Sequence, residues 1–132
     1  MTFDQIRLAV ESRMVEWDGV PVAYDNVPTP PSVQAAMDAK SPWVRLTINH
    51  GASNIAALGS DPETRRTGLI QCQVFTNVRI GSKPAADTAD SLATHLQYQR
   101  LGRVETLAAS VQRIGPSDGW FQYNLSIPFR AD

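Results

Sequence analysis

Apolar residues near the start of the chain recur at helical spacing. Five of them lie three or four positions apart: Phe3, Ile6, Val10, Met14 and Trp17. This spacing places them on one face of a helix. Thr2, followed three residues later by Gln5, matches a capping box, in which each residue satisfies a free backbone amide of the other. The pattern predicts a first helix over residues 3–17.

Three later segments alternate between apolar and polar residues, which is the period of a strand with one buried face. They predict strands over residues 43–50, 67–76 and 120–129. A short strand at 21–25 and a less distinct one within 103–114 bring the number to about five. The apolar positions of the three main strands would face a core: Val44, Leu46, Ile48, Ile70, Cys72, Val74, Phe121, Tyr123, Leu125, Ile127 and Phe129.

The segments between these strands predict one more helix and two irregular stretches. A narrow stripe of small and apolar residues, with proline in the first turn, predicts a second helix over residues 84–98. Residues 27–42 are rich in proline and predict an excursion with one short helical turn, capped by Ser32 and ending at Ala39. Residues 51–66 show no sustained period and predict a long loop.

These elements predict an α+β fold in one domain spanning residues 1–132. Its mixed or antiparallel sheet of about five strands would carry both helices on one face. The opposite face would expose aromatic residues among polar ones, and such aromatics commonly anchor protein interfaces. Together with Arg45 on the same face and two arginines in the adjacent loop, they form the predicted protein interface: Trp43, Arg45, Arg65, Arg66, Phe75 and Trp120.

Charge and hydropathy disfavour several classes of function. Twelve basic and thirteen acidic residues nearly cancel in the 132-residue chain, whereas a dedicated nucleic-acid binder is usually more basic. No apolar run reaches the roughly 18 residues that span a bilayer. The first 14 residues carry charges where a signal peptide has its apolar block, which predicts synthesis in the cytoplasm and no membrane partner.

Motifs for catalysis and for cofactor binding are absent from the sequence. It contains no G-x-S-x-G, S-x-x-K, G-x-x-x-x-G-K-[ST] or G-x-G-x-x-G segment. Cys72, the single cysteine, falls on the predicted core face, where an inert thiol is expected. We therefore expect no catalytic residue, cofactor or metal. One enzymatic alternative stays open, a small hydrolase that uses His50 with Asp61 or Glu63.

Five segments spread along the chain form a recognisable set. They are YDNVP, WVRLTI, LGSDPETRRTGLIQCQVF, the IG ahead of the second helix, and DGWFQYNLSIPF. Read together, they resemble the phage tail terminator-like family of long-tailed bacteriophages and prophages over nearly the whole chain. The chain departs from the family in its longer segment 29–41 and at the end of the second helix. The residues that carry the resemblance are Asn26, Trp43, Arg45, Gly59, Arg66, Gly68, Phe75, Gly81, Gly119, Trp120 and Phe129.

The resemblance implies a structural subunit without turnover. Such subunits assemble into a ring, hexameric in the best-known relatives, which caps the growing tail tube and then accepts the head or its connector. The implied partners are other copies of the chain, the tail tube protein and the head–tail connector, and the implied location is the virion tail after assembly in the host cytoplasm. Arg66 would fix the loop or an acidic neighbour across the subunit boundary.

Two further alternatives stay open at this point. The nearest is a neck or head-completion connector protein, which differs in the surface that it closes. The other is a small nucleic-acid-binding module with a basic and aromatic stacking platform. Its candidate residues are Arg65, Arg66, Arg100, Arg103, Trp43 and Trp120.

Overall fold

The computed structural model describes residues 1–59 and 62–132. Within them, three helices are present: α1 (Phe3–Val15), α2 (Pro31–Asp38) and α3 (Lys83–Leu96). Seven strands accompany them: β1 (Val22–Tyr24), β2 (Trp43–Ala57), β3 (Glu63–Asn77), β4 (Arg100–Leu101), β5 (Val104–Thr106), β6 (Ser110–Ser117) and β7 (Trp120–Ala131). The α+β class is confirmed, with more strands and one more helix than the sequence predicted. None of the described helices combines the length and apolar character needed to cross a membrane.

All seven strands belong to one mixed sheet. Its order is β1-β2-β3-β7-β5-β4, and β6 also pairs with β7. The β1–β2 pair is parallel, and the other pairs are antiparallel. One edge of β7 pairs with β3, while its other edge pairs with β6 and then β5. The predicted strand within residues 103–114 is thus divided between β5 and β6.

Helix α1 begins with the predicted capping box. The Thr2 hydroxyl accepts a hydrogen bond from the Gln5 amide at 3.1 Å, and the Gln5 side-chain oxygen accepts one from the Thr2 amide at 2.8 Å. The helix ends at Val15, two residues before the predicted end. Trp17 follows the helix and donates from Nε1 to the Ser91 hydroxyl at 3.0 Å, which links α1 to α3.

The main core lies between one sheet face and the pair α1 and α3. Helix α1 contributes Ile6, Val10 and Met14, and α3 contributes Leu92 and Leu96. The sheet contributes most of the residues whose alternation predicted a core face: Val44, Leu46, Ile70, Cys72, Val74, Leu125, Ile127 and Phe129. The prediction that two helices pack on one face is confirmed for α1 and α3.

Helix α2 covers one end of the opposite sheet face. The helix residues Val33 and Ala36 bury Trp43, which is only 4% exposed. Trp43 stacks on Phe75 with ring centroids 4.3 Å apart and meets Trp120 edge-on at 6.1 Å. The prediction of Trp43 as an exposed anchor is therefore wrong. Alternation assigned its face correctly, but the proline-rich segment supplies a helix that covers it.

Two local predictions also differ from the structure. Pro30, without a side-chain hydrogen bond, occupies the N-cap of α2, so the predicted capping by Ser32 is wrong. The long loop predicted over residues 51–66 is also wrong, because β2 continues to Ala57 and β3 already begins at Glu63. Residues 60 and 61 of that prediction lie outside the described residues.

Candidate assembly site

The distal halves of β2 and β3 form a two-stranded extension, which we call the hairpin arm (residues 51–59 and 62–67). All residues from 51 to 59 are exposed. The two strands pair from Ser53↔Arg66 to Ala57↔Glu63. Strand β7 supports β3 only as far as the pair Arg66↔Ala131. Nearer the tip, the arm is a hairpin with exposed faces.

The first strand of the arm carries an unusual surface. Its segment GASNIAALG, residues 51–59, contains no charged residue. Ile55 is 64% exposed and Leu58 is 87% exposed. Within the described residues, β1 pairs with β2 only as far as Leu46, so the outer edge of the arm has no partner strand. Natural sheet edges are normally protected by charges, proline or short length. An uncharged free edge is suited to contact with another polypeptide.

Arg66 fastens the base of the arm to the N-terminal segment. Its Nε donates to the Met1 carbonyl oxygen at 2.9 Å, and its Nη1 donates to the Ser53 hydroxyl on the paired strand at 3.2 Å. The guanidinium also lies over the Phe3 ring, with Cζ 4.1 Å from the ring centroid. A guanidinium can make all three contacts because its donors lie in one plane and its faces stay free.

Arg65 holds the C-terminal residue beside the same base. Its Nε and Nη2 donate to the two carboxylate oxygens of Asp132 at 2.7 and 3.3 Å. This hydrogen bonding lowers the pKa of Asp132 and raises the pKa of Arg65. The Met1 amino group also donates to the Asp132 backbone oxygen at 3.2 Å. The adjacent arginines therefore hold the two chain ends against the arm.

A close backbone approach fixes the point where the arm leaves the core. A Cβ on Gly68 would lie 2.4 Å from the Asn49 carbonyl oxygen and 2.7 Å from Cζ of Phe129. Phe129 is the cross-strand partner of Gly68, so its ring takes the space that a side chain would need. The His50 ring lies edge-on to Phe129 at 6.4 Å and to Phe3 at 4.9 Å. The rings of Phe3, His50 and Phe129 thus pack together at the base of the arm.

The outer sheet face is polar where α2 does not cover it. Arg45 lies over the rings of Trp43 and Phe75, with Cζ 5.3 and 5.9 Å from their centroids. Cross-strand register brings hydroxyl and amide side chains of β2, β3 and β7 together on this face. They are Thr47, Asn49, Gln71, Gln73, Gln122, Asn124 and Ser126. Two pairs are hydrogen-bonded, Asn49 with Gln71 at 2.9 Å and Gln122 with Asn124 at 2.8 Å.

The six residues of the predicted interface fall into two separate groups. Arg45, Trp43, Phe75 and Trp120 cluster next to α2, whereas Arg65 and Arg66 lie at the base of the arm. Ten strand positions of β3 separate Arg65 from Phe75, which corresponds to about 33 Å. Sequence reasoning missed the arm itself, although its uncharged segment was a readable signal.

This separation also affects the nucleic-acid-binding alternative. A stacking platform needs exposed aromatic faces near the basic residues. Trp43 is buried, and Trp120 is half-buried beside it, at the end of the sheet away from Arg65 and Arg66. The proposed platform of these tryptophans and arginines is therefore not formed.

The structure also separates the residues of the hydrolase alternative that it describes. His50 pairs with Gly68, and Glu63 lies five positions nearer the tip of β3, about 16 Å away along the strand. Asp61 lies outside the described residues. A cleft of about 520 Å³ does border His50, but Arg7 there binds Asp4 at 2.8 Å and Glu11 at 2.6 Å. Across residues 1–59 and 62–132, no three potential metal ligands converge.

An exposed arm whose first strand is uncharged along a free edge offers a contact surface to another polypeptide. Residues 5–129 match the family model described as phage tail terminator protein, and the chain belongs to this family. It is accordingly a structural component of a phage tail. One solved structure is similar to this chain, with 21% sequence identity and a TM-score of 0.72. The alignment covers 100% of this chain and 96% of the other chain, so the two share a fold. Among curated proteins, none matches this chain.

Proposed function

We propose that this protein forms a ring that caps the tail tube, ends its polymerisation and then offers the surface for head joining. The hairpin arm carries this proposal. A closed ring of identical subunits joined head to tail needs two different contact surfaces on each subunit. An arm with an uncharged free edge and exposed apolar side chains supplies one surface that projects away from its own core.

The proposed partners are other copies of the chain, the tail tube protein and the head–tail connector. We propose a hexamer, assembled in the host cytoplasm and retained in the virion tail. The six residues of the predicted interface have separate roles in this proposal. Arg65 and Arg66 shape the arm, Trp43 supports α2 from beneath, and the accessible parts of Arg45, Phe75 and Trp120 contact the tube or the connector.

Capping by a ring requires no chemical step. A growing tube end offers each incoming tube subunit the same surface, and a bound ring covers that surface. The polar outer face of the sheet supports such a contact, because its hydroxyl and amide groups can donate and accept hydrogen bonds and cost less to desolvate than charged groups.

The test adds the purified protein to polymerising tail tube protein of the same phage and follows the tubes by electron microscopy. We expect tubes of arrested length with a terminal ring. Leu58→Ser should keep the fold, with a change in unfolding free energy within about 0.5 kcal/mol because the side chain is exposed, yet it should lose capping. The matched control is Leu8→Ser, at a 56% exposed leucine of α1, which should cap normally.

Two outcomes would contradict the proposal. Tubes that continue to grow in the presence of the unmodified protein would show that it does not cap. Binding to isolated heads without any effect on tube length would favour the connector alternative.

A further inference from the structure

A second unpartnered surface lies at the opposite end of the sheet from the hairpin arm. The turn after β3 (residues 78–82) and the end of β6 with its turn into β7 (residues 116–119) border a cleft of about 820 Å³. We call it the distal cleft. The cleft is open to solvent on one side, and its volume is enough to admit a few side chains of another polypeptide.

The distal cleft combines apolar walls with two arginines and one carboxylate, Asp118, so that its lining carries a net positive charge. Val78, Pro116 and Phe121 contribute apolar atoms to its lining. Arg113 lies over the Phe121 ring, with Cζ 5.6 Å from the centroid. Within the described residues, neither Arg113 nor Arg79, which also lines the cleft, forms an ion pair.

The hairpin arm carries the complementary groups. Ile55 and Leu58 are exposed apolar side chains close to its tip. Glu63 begins the second strand of the arm and has no cationic partner in the part of the chain that the structure describes. Apolar side chains would lose contact with water in the cleft, and the carboxylate would meet one of two arginines.

The arm and the distal cleft of one subunit cannot meet each other. They lie at the two ends of β3, and the fourteen steps from Glu63 to Asn77 correspond to about 46 Å. A contact between them must therefore join two copies of the chain. Because the two surfaces differ, this contact is heterologous, and it generates a ring if the rotation closes.

We propose that the hairpin arm of one subunit docks into the distal cleft of the next copy in the ring. This inference rests on the proposed ring and names its two contact surfaces. Ile55, Leu58 and Glu63 make this contact through their side chains. Addition of a strand to the nearby free edge of β6 is disfavoured, because Arg113 and Pro116 protect that edge.

Disulfide crosslinking tests the contact directly. Leu58→Cys places a thiol on the arm, and Ser117→Cys places one at the cleft. The native Cys72 is buried with a raised pKa and stays unreactive. A disulfide needs Cα atoms within about 7 Å, so these two sites cannot join within one chain.

The expected products distinguish this contact from a chance collision. On oxidation of assembled rings, the double variant should give a ladder of covalent oligomers up to the closed ring. A mixture of the two single variants should give only dimers that contain one of each. Each single variant alone should stay uncrosslinked, as should a double variant that pairs Leu8→Cys with Ser117→Cys.

Charge reversal supplies an independent readout. Glu63→Arg should lower the assembled fraction by about tenfold or more, because it sets like charges against each other at the contact, and the added changes Arg79→Glu and Arg113→Glu should restore it. Rings that form at tube ends without a crosslink, and that tolerate Glu63→Arg, would overturn the arm-to-cleft contact and leave the ring in place. Failure of the unmodified protein to form any ring, alone or on tubes, would overturn both proposals.

Discussion

Replacing Arg66 with alanine should loosen the base of the hairpin arm while leaving the core folded. The substitution removes two hydrogen bonds, to the Met1 carbonyl and the Ser53 hydroxyl, and the contact over the Phe3 ring. The N-terminal segment would then be held at the base of the arm mainly by the contact of the Phe3 and His50 rings and by the hydrogen bond from Met1 to Asp132.

The contacts of Arg66 give the expected magnitude. A cation over an aromatic ring contributes about 0.5–1 kcal/mol at an accessible site. Two hydrogen bonds from a half-buried charged donor contribute on the order of 1 kcal/mol together, at the low end because water competes. The total of about 2 kcal/mol corresponds to a fall in Tm of about 7 °C for a chain of this size.

Urea unfolding measures the effect of Arg66→Ala on the stability of the whole protein, and amide hydrogen exchange measures its effect on the arm. If the loss is local, amides between Ser53 and Ala57 should exchange about 30-fold faster, which is the equivalent of 2 kcal/mol. The stability of Arg66→Lys should lie between those of the original protein and Arg66→Ala. An ammonium keeps the charge, but it cannot stack on the Phe3 ring and bind the Met1 and Ser53 oxygens at once. Arg65→Ala should have a smaller effect, since its ion pair with Asp132 is exposed.

One result would refute this account. If Arg66→Ala unfolds at the same urea concentration as the original protein and its arm amides exchange no faster, the three contacts do not stabilise the arm. Full recovery by lysine would show instead that the positive charge alone matters.

Three further predictions concern the packing around the sheet. Burial raises the pKa of Cys72 to about 12, above the roughly 8.5 of an unfolded thiol. The contribution of the buried thiol to the unfolding free energy is therefore complete below about pH 8.5 and is lost between about pH 8.5 and pH 12. The unfolding free energy measured in urea should accordingly fall more steeply over this range for the original protein than for Cys72→Ala. Trp43→Ala should cost about 3–5 kcal/mol and make segment 27–42 sensitive to proteases, whereas Trp43→Phe should cost much less because the buried Nε1 has no hydrogen-bond partner. Gly68→Ala should lower the unfolding free energy by about 1–3 kcal/mol through its clash with the Asn49 carbonyl, while Gly51→Ala, whose nearest contact is 3.1 Å away, should change it less.

The elements that bury one face were predictable from the sequence. The capping box at Thr2 and the three-and-four spacing after it located α1, because that face packs on the core. Alternation from Trp43 to Ile48 and from Trp120 to Phe129 located β2 and β7 for the same reason. An element with one buried face has apolar residues at the period of that element, and this periodicity is visible in the sequence.

The candidate site was harder to predict because its strands bury neither face. Residues 51–57 lie in an exposed hairpin, where no alternation is required, so the glycine, serine and asparagine in this segment favour a loop on sequence grounds alone. The burial of Trp43 depends on α2, and Pro30 at the N-cap of this helix lacks the side-chain cap that would have marked its start in the sequence. The bridge from Arg66 to Met1 joins positions 65 residues apart, and local spacing contains no information on such a contact.

The position of β7 at the centre of the sheet has a consequence for synthesis. This strand follows all the others in the chain, yet β3, β5 and β6 each take hydrogen bonds from it. While residues 120–131 are still inside the ribosome, one edge of β3 has no partner strand, and long-range pairing of this kind is slow. The nascent chain is thus exposed to aggregation until its final strand emerges, and chaperone supply should set the yield of assembly-competent subunits.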